Sequence, residues 1–352
     1  MVTRAGAAVT DADNHRGQPQ RAGTVALAGR SNVGKSTLLN AALQLPLAIV
    51  SKKPQTTRDQ LLGVIRHGGA EIGLLDTPGL HRSRSRLGEQ MNRSAKAAAR
   101  GADVVIFVAA LPRAPKGELQ PHPQDLELLN KLPGRIPLVL VINKIDLLPD
   151  KRQLLPLIQG YAQARGFAAI VPISAKREDG VKLVLDEVAK LLPEGPPLYD
   201  EDTITDRPLR YFAAEYIREP ILRAIRQEVP HAVAVTVDEF AEPPAGQDGA
   251  TAISATIHVE KASQKKILIG RGGAMLKTIG SAARARIEGL TERPVHLTLW
   301  VRVTKSWRDS PGQLEQLTAA DLPLRRAAFV QPEGAEAPPS APAGDETSTA
   351  EP

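Results

Sequence analysis

The residues with the clearest chemical potential form a glycine-rich motif near the N-terminus. They fit the pattern GxxxxGK[ST]: Gly29, Gly34, Lys35 and Ser36. A β-rich apolar run, residues 24–28, precedes the motif and a helical pattern, residues 36–45, follows it, which is the order of strand, loop and helix that the motif requires. In such a loop the backbone N–H groups and the helix N-terminus face an anion, the lysine reaches the outer phosphates, and the hydroxyl can ligate Mg²⁺. The stretch predicts a nucleoside triphosphate site and leaves both ATP and GTP open.

Three further polar motifs must meet this loop at one edge of a sheet. They follow apolar runs with strand character and are Asp76-Thr77-Pro78-Gly79, Asn143-Lys144-Ile145-Asp146 and Ser174-Ala175-Lys176. Because the carboxyl ends of parallel strands lie at the same edge, we expect all four motifs to surround one ligand. Gly79 would present its N–H group to a γ-phosphate.

Oxygen ligands for a metal ion are expected from three places. Ser36 supplies a hydroxyl from the first motif, and Asp76 supplies a carboxylate that reaches Mg²⁺ through water. The polar stretch at residues 47–59, called loop 47–59 below, lacks core spacing and is predicted to be mobile beside the phosphates. Thr56 or Thr57 could complete the shell from this loop, and we assign the role to Thr57.

The choice of base depends on Asp146. Its two oxygens can accept hydrogen bonds from guanine N1–H and from the exocyclic N2 amino group. Adenine has an acceptor where guanine has the first donor, so ATP would leave a carboxylate unpaired at a cost of about 2–5 kcal/mol. The aliphatic stem of Lys144 can cover a face of the base, and the loop after residue 173 can offer a backbone N–H group to guanine O6.

The remaining pattern up to residue 192 alternates strands with helices. Residues 111–123 are interpreted as a proline-rich loop. Strands are predicted at residues 61–67, 71–75, 103–109, 137–142 and 168–173, and helices at 87–100, 150–165 and 181–192. This alternation predicts an α/β fold with a mostly parallel six-stranded sheet and helices on both faces.

The ordered motifs resemble those of the translation-factor-like GTPase superfamily. Three longer stretches are similar to the Era family of bacterial GTPases: Gly-Arg-Ser-Asn-Val-Gly-Lys-Ser at 29–36, Lys-Pro-Gln-Thr-Thr-Arg at 53–58 and Asp-Thr-Pro-Gly-Leu at 76–80. That family typically has Pro where this chain has Ser31, a change outside the lysine and hydroxyl chemistry. The resemblance implies a P-loop GTPase domain whose contacts to GTP or GDP are Gly29, Arg30, Ser31, Asn32, Val33, Gly34, Lys35, Ser36, Asp76, Thr77, Pro78, Gly79, Asn143, Lys144, Asp146, Ser174, Ala175 and Lys176.

The same resemblance implies a smaller set of residues for hydrolysis, namely Asn32, Lys35, Thr57, Asp76 and Gly79. Asn32 is implied to help hold a K⁺ ion where an arginine finger would otherwise stabilise charge on the transferring phosphoryl group. Leu80 follows the DxxG motif at a position where many signalling GTPases have a water-orienting Gln. Slow intrinsic turnover is therefore expected.

A second unit follows a linker at residues 193–208, which is rich in Pro and Asp and has no periodicity. Its predicted elements are a helix at 209–228 and strands at 232–240, 252–260 and 295–303. Before the last strand lies Ile269-Gly270-Arg271-Gly272-Gly273, a GXXG turn expected between two short helices. A tight helix–helix turn would explain this motif alone. The surrounding order of elements instead matches a type II KH domain, an α+β fold whose GXXG turn lets a nucleic-acid backbone approach closely.

Positive charge is concentrated around this turn. The whole chain carries a formal charge of +6, whereas residues 261–308 hold eleven Lys or Arg against Glu288 and Glu292, a local balance of +9. A solvated basic face is the simplest explanation, but its position beside a GXXG turn favours contact with phosphates. The residues predicted to contact RNA are Lys265, Lys266, Ile269, Gly270, Arg271, Gly272, Gly273 and Lys277.

The resemblance to the Era family continues through the second unit, at Tyr211-Phe-Ala-Ala-Glu-Tyr-Ile-Arg-Glu219, Ser263-Gln-Lys265 and Leu299-Trp-Val-Arg-Val303. It implies binding to 16S rRNA near its 3′ end, a role in rRNA processing and in assembly of the small (30S) ribosomal subunit, and tighter RNA binding in the GTP form. It also implies association with the membrane surface. The alternatives are a membrane-associated signalling GTPase whose basic surface contacts acidic lipid, and an RNA-binding module with a vestigial nucleotide site.

The predicted organisation has five parts. They are a flexible arm at 1–21, a G domain at 22–192, a linker at 193–208, a KH domain at 209–309 and an extension at 310–352 that is disordered from about 328. After residue 330 the extension has five acidic and no basic residues, and it either solvates the chain or competes with RNA for the basic surface. The absence of Cys and of any eighteen-residue apolar run favours a cytoplasmic protein, which we expect to be a monomer.

Overall fold

The computed structural model describes residues 2–3, 20–53, 55–80, 85–112, 117–224, 233–244 and 247–318. Most of the predicted N-terminal arm, the end of the helix predicted at 209–228 and the extension beyond 318 lie outside the described residues. The described residues belong to one compact unit.

Six of the first eight strands form the predicted sheet of the N-terminal half. The strands are β1 (Val2–Thr3), β2 (Arg21–Ala28), β3 (Leu61–His67), β4 (Ala70–Asp76), β5 (Val104–Ala110), β6 (Leu138–Asn143), β7 (Ala169–Ile173) and β8 (Thr203–Thr205). The sheet has the order β3-β4-β2-β5-β6-β7, and all neighbours run parallel except β3 and β4. The prediction of a mostly parallel six-stranded sheet is confirmed.

Helices cover both faces of this sheet, because its central strands are apolar on both sides. The helices are α1 (Lys35–Leu43), α2 (Arg86–Gly101), α3 (Pro123–Leu129), α4 (Leu154–Ala164) and α5 (Val181–Leu191). In β5, Val104, Ile106 and Val108 join one core cluster, which contains α1 and α5. Val105 and Phe107 join the other, which contains α2, α3 and α4. The α3 helix was not predicted, since its seven residues are too few for a helical period in a Pro-rich stretch.

The predicted linker is not irregular throughout. Its β8 strand pairs with β1, and the carboxylate of Glu71 in β4 accepts hydrogen bonds from the backbone of Leu198 and Tyr199 at 2.6 and 3.1 Å. Arg66 in β3 bonds both Glu71 and the carbonyl of Asp200. These contacts fasten the segment to the edge of the sheet.

The C-terminal half has the predicted order of elements. They are α6 (Leu209–Ala224), β9 (Ala234–Ala241), β10 (Thr251–Val259), α7 (Ala262–Ile269), α8 (Ala274–Thr291), β11 (Val295–Val303) and α9 (Pro311–Thr318). The sheet order is β11-β10-β9, with β10 antiparallel to β9 and parallel to β11. The expectation of two short helices around the GXXG turn is wrong for α8, which has 18 residues. The α9 helix was not predicted.

The two halves share a hydrophobic core. Leu47, Ala48 and Ile49 begin loop 47–59, and all three are buried in a cluster that includes Phe212 and Tyr216 of α6. The prediction that this loop has no core residues is therefore wrong for its first three positions. A run of three apolar residues has no period, and its burial depends on a helix more than 150 residues away in the chain.

Candidate functional site

The glycine-rich loop passes so close to its neighbours that two positions require glycine. Gly29 has φ +137°, and a Cβ atom there would lie 2.4 Å from the carbonyl oxygen of Val108. Gly34 has φ +107°, and a Cβ atom there would lie 2.2 Å from the side-chain nitrogen of Asn143. Both φ values lie where side chains other than glycine are strained. The loop is thereby fixed between β5 and the end of β6.

Lys35 lies beneath this loop and is 6% exposed. Its ammonium group donates to the carbonyl oxygens of Gly29 and Arg30 at 3.2 and 3.0 Å. Burial lowers the pKa of Lys35 to about 8, against the opposing charges of Asp76 and Asp125. A phosphate in the loop would favour the charged ammonium and oppose this shift.

The three predicted metal ligands meet beside Lys35. Ser36 Oγ donates to Asp76 Oδ2 at 2.5 Å, Thr57 Oγ1 donates to the same oxygen at 3.2 Å, and the two hydroxyl oxygens lie 2.8 Å apart. Asp76 is fully buried, and burial raises the pKa of its carboxyl group. Its Oδ1 atom has no hydrogen-bond partner among the described residues. Two hydroxyls and a buried carboxylate with an unsatisfied oxygen form a donor set that fits Mg²⁺, which prefers oxygen ligands.

Thr56, the alternative metal ligand, is turned away from this cluster. Its hydroxyl donates to the carbonyl of Lys53 at 2.8 Å and lies 2.8 Å from the hydroxyl of Ser51. The geometry therefore favours Thr57 over Thr56.

The DxxG segment lies directly against the glycine-rich loop. Thr77 donates to the carbonyl of Leu27 at 2.7 Å, and the backbone of Leu80 donates to the carbonyl of Gly29 at 3.2 Å. A Cβ atom on Gly79 would lie 2.6 Å from the Cα atom of Ser31, so this position also requires glycine. The Ser31 hydroxyl is buried at this contact without a partner among the described residues.

Asn143 joins the loops that would surround a base. Its Nδ2 donates to the carbonyl of Val33 at 2.8 Å, while its Oδ1 accepts from the backbone of Lys144 and of Ala175 at 2.8 and 3.0 Å. Ser174 Oγ donates to Asp146 Oδ1 at 2.7 Å. The three motifs are thereby brought together, with the Ala175 N–H group directed at Asn143.

Two contacts hold the rim of this site. Lys144 has φ +72°, and its ammonium group donates to the carbonyl of Asn32 at 2.7 Å. The exposed Asn32 side chain donates to the carbonyl of Lys52 in loop 47–59 at 3.2 Å. Asn32 therefore connects the glycine-rich loop with loop 47–59. Lys176 is exposed at the opposite rim.

Sequence reasoning missed the anchor of the glycine-rich loop. Arg30 Nε donates to Asp125 Oδ1 at 2.7 Å and Arg30 Nη2 to Oδ2 at 3.1 Å. The Tyr161 hydroxyl donates to the same buried carboxylate at 3.0 Å. Asp125 lies in the unpredicted α3, and its sequence surroundings contain no signal for this role.

The GXXG turn lies exposed at the junction of α7 and α8. Gly270 has φ +72°, and a Cβ atom there would lie 2.8 Å from Met275 Cβ, whereas Gly272 has φ +57° and nothing within 4 Å of its Cβ position. Arg271, Lys266 and Lys277 are exposed. Lys265, Ile269 and Gly273 are partly exposed. No acidic residue occurs between residues 261 and 287, so no carboxylate of this stretch opposes the Lys and Arg side chains around the turn.

Loop 47–59 is also held by the C-terminal half. Arg218 in α6 donates to the carbonyl of Thr56 at 2.5 Å, and the backbone of Val50 donates to Glu219 at 3.1 Å. Arg286 in α8 forms an ion pair with Glu219 and donates to the carbonyl of Pro46 at 2.6 Å. The helix that follows the GXXG turn therefore contacts the start of the nucleotide-site loop.

A second set of contacts joins the halves on another side. Arg58 donates to the carbonyl of Val233 at 2.6 Å, and its guanidinium group lies 5.7 Å from the ring centre of Trp307. Leu87 and Met91 of α2 pack with Trp307 and Leu314 in a buried cluster. Burial lowers the pKa of Arg58 to about 9.

Comparisons with known proteins agree with this geometry. Residues 24–144 match the 50S ribosome-binding GTPase family, and residues 228–308 match the KH domain family. The GTPase Era of Ruminiclostridium cellulolyticum is 43% identical over 84% of this chain and 97% of that protein. The GTPase Era of Geobacter metallireducens is 46% identical over 85% of this chain and 98% of that protein.

The chain belongs to the GTPase Era family. It is a GTPase with a P-loop domain and a C-terminal KH domain. Two solved Era structures match over 85% of this chain and 99% of theirs, each at 37% identity and a TM-score of 0.79. One is a point variant of Aquifex aeolicus Era bound to GDP·AlF4⁻, and the other is an Era in complex with MgGDPNP and nucleotides 1506–1542 of 16S ribosomal RNA.

We predict that Asp146→Asn exchanges the base preference. The amide has one acceptor and one donor, so GTP loses a charge-assisted hydrogen bond, which weakens its binding by about 10- to 150-fold. Xanthosine triphosphate should bind more tightly to the variant than to the parent, because its C2 carbonyl accepts a hydrogen bond from the new amide. Titration with both labelled nucleotides measures the exchange, with Asp150→Asn as a control outside the base site. Unchanged GTP preference would refute the role of Asp146.

Proposed function

We propose that this protein hydrolyses GTP slowly and binds 16S rRNA near its 3′ end in a GTP-dependent way, in rRNA processing and assembly of the 30S subunit. One observation carries the proposal. Loop 47–59, which places Thr57 beside Ser36 and Asp76, is hydrogen-bonded to α6 and, through Arg286 and the carbonyl of Ala48, to α8 of the half that presents the GXXG turn. The solved Era complex with 16S rRNA supports the class of RNA.

The nucleotide site is proposed to hold GTP through the residues named from sequence. The loop 29–36 cradles the phosphates, Lys35 pairs with the outer phosphates, and Asp146 binds guanine. Ser36, Thr57 and Asp76 would hold Mg²⁺, which supplies charge neutralisation to the phosphates when bound. Asp76 must be ionised for this role, and because burial raises its pKa, metal affinity should fall as the pH becomes acidic.

Turnover is proposed to be slow because Leu80 has no group that orients water. Asn32 is proposed to help hold K⁺, which would place positive charge near the phosphates. In support of this role, Asn32 Nδ2 donates to the carbonyl of Lys52 at 3.2 Å, which places the Asn32 side chain beside a backbone oxygen of loop 47–59.

Coupling between the two sites is proposed to proceed through loop 47–59. When GTP and Mg²⁺ hold Thr57 and Gly79, the loop is restrained, and hydrolysis releases it. Arg218, Glu219 and Arg286 contact Thr56, Val50 and Ala48 of this loop, so its rearrangement would change contacts of α6 and α8. The GTP form is proposed to bind RNA more tightly.

The domain boundaries are proposed at the residues predicted from sequence: arm 1–21, G domain 22–192, linker 193–208, KH domain 209–309 and extension 310–352. A cytoplasmic monomer with some attachment at the inner membrane surface remains a prediction. Within the described ranges no helix is long and apolar enough to cross a membrane.

We predict that Asn32→Ala removes a dependence of GTP hydrolysis on K⁺. The parent should hydrolyse GTP at least about tenfold faster in KCl than in NaCl, since a positioned cation stabilises developing negative charge. The variant should be equally slow in both salts. Asn130→Ala, at the exposed end of α3, serves as the control. Equal rates of the parent in both salts would exclude the K⁺ role.

We predict that Gly272→Asp abolishes RNA binding and spares the nucleotide site. Aspartate tolerates the positive φ of this position, and nothing lies within 4 Å of its Cβ, so the fold should persist. The added carboxylate would face phosphates and weaken RNA binding by more than about tenfold. GTP turnover should remain within about twofold of the parent.

Gly289→Asp is the matched control, because Gly289 is an exposed glycine of α8 with an open Cβ position remote from the turn. Affinities for a labelled single-stranded fragment of the 16S rRNA 3′ end, measured at several salt concentrations, provide the readout. Parent binding should weaken steeply with salt as counterions are released. Parent-like binding by Gly272→Asp would show that the turn does not hold RNA, and binding of acidic vesicles instead of RNA would favour the membrane alternative.

A further inference from the structure

Trp300 is the most exposed large apolar side chain of the described residues, at 63%. The other tryptophan, Trp307, is fully buried. An aromatic ring facing solvent forgoes the stabilisation that burial of its large surface would give. Packing in the core therefore does not explain a tryptophan at this position, whereas binding of a ligand would.

The side chains around Trp300 lie on the outer side of the C-terminal sheet, which is exposed along β11 and buried at Thr256 and His258 of β10. Along β11 the residues alternate, so Val295, Leu297, Leu299, Val301 and Val303 pack into the core while the residues between them point outward. The outward residues of β11 are all exposed: His296, Thr298, Trp300 and Arg302. On β10 the neighbour of Trp300 is Thr256 and that of Thr298 is Ser254. This outer half of the sheet is called the β11 face below.

The charge of the β11 face suits a polyanion. Arg302 follows Trp300 on the outward side of the strand, and the outward positions of β10 carry no carboxylate. The acidic side chains on this side of the sheet, Asp238 and Glu239, belong to β9, the far strand. Asp238 accepts hydrogen bonds from Thr236 and Thr256, so its carboxylate is engaged within the sheet.

The helix that follows the GXXG turn, α8, contacts the inner side of β11. A methyl group of Leu299 lies 3.4 Å from the Cβ position of Gly280 in α8, so α8 crosses the inner side of β11 beside Trp300. Gly280 is six residues beyond Ala274, the first residue of α8, which corresponds to about 9 Å along the helix. Since β11 is an edge strand, a chain leaving the turn can pass around this edge to reach the β11 face.

We propose that the β11 face is a second binding surface for single-stranded RNA, on which a base stacks against Trp300 and Arg302 pairs with a phosphate. Aromatic side chains on an open sheet hold single-stranded bases in other RNA-binding folds, because every base has a π-face. The RNA bound here continues the strand held at the GXXG turn. This inference rests on the proposed RNA-binding function, and it extends that function to residues outside the turn.

The test compares two RNAs with the full-length chain. A tetranucleotide fills only the turn, because a KH domain clamps four nucleotides, whereas a twelve-nucleotide single strand can also reach the β11 face. Trp300→Ala should bind the longer RNA about 5- to 150-fold more weakly than the parent, the range that loss of one base-stacking contact gives. It should bind the tetranucleotide like the parent, and Trp300→Phe should retain most of the affinity.

Two further measurements make the test specific. Leu155→Ala, which removes another exposed apolar side chain, should leave both affinities unchanged. The tryptophan fluorescence of the parent should be quenched by the longer RNA, and this change should disappear in Trp300→Phe, because Trp307 is buried.

The remaining outcomes separate this inference from the function on which it rests. If Trp300→Ala binds the longer RNA like the parent while Gly272→Asp loses binding, the β11 face does not bind RNA. The proposed RNA-binding function of the turn then remains intact. Loss of tetranucleotide binding in Trp300→Ala would place Trp300 within the turn site and overturn a second surface. If the parent binds neither RNA, the proposed function itself fails. If Trp300→Ala loses binding to acidic vesicles alone, the face is a lipid contact and the inference is wrong.

Discussion

The structure depends on the way loop 47–59 is held from both sides. On one side the Thr57 hydroxyl contacts oxygen atoms of Asp76 and Ser36, which are the other two proposed Mg²⁺ ligands. On the other side the Thr56 carbonyl accepts from Arg218, a fully buried cation of α6. Adjacent residues of one loop thus contact the proposed Mg²⁺ ligands and α6 of the C-terminal half, and the proposed coupling between the two sites runs through these contacts.

Buried charged side chains make the largest contribution to the free energy of these contacts. Removing a partner from a buried ion pair costs about 3–5 kcal/mol, because the remaining charge is left without solvent or counterion. Arg218 is paired with Glu215, and Glu219 is paired with Arg223 and Arg286, so movement of the loop would take the Thr56 carbonyl and the Val50 N–H group away from buried, charged side chains. Such a network favours a few discrete arrangements over gradual motion, which is what a nucleotide-dependent switch requires.

The sequence predicted what local pattern determines and missed what depends on distant contacts. The four motifs, the six-stranded sheet and the order of elements around the GXXG turn followed from periodicity and from residue types at strand ends. The burial of Leu47, the ordered linker at Glu71 and the anchor at Asp125 could not be read in this way. Each depends on a partner that is distant in the chain, and a short polar or apolar stretch contains no information about that partner.

The most direct test of this account compares RNA affinity between two nucleotide states. Labelled 16S rRNA 3′-end fragments are titrated against protein loaded with a non-hydrolysable GTP analogue or with GDP. The GTP form should bind about 5- to 150-fold more tightly, the usual scale of coupling. The ratio should fall toward one in Arg286→Ala, which loses the contacts to Glu219 and Pro46. It should persist in Arg284→Ala, an exposed arginine of the same helix. Equal affinities of the parent in both states would contradict the coupling through loop 47–59.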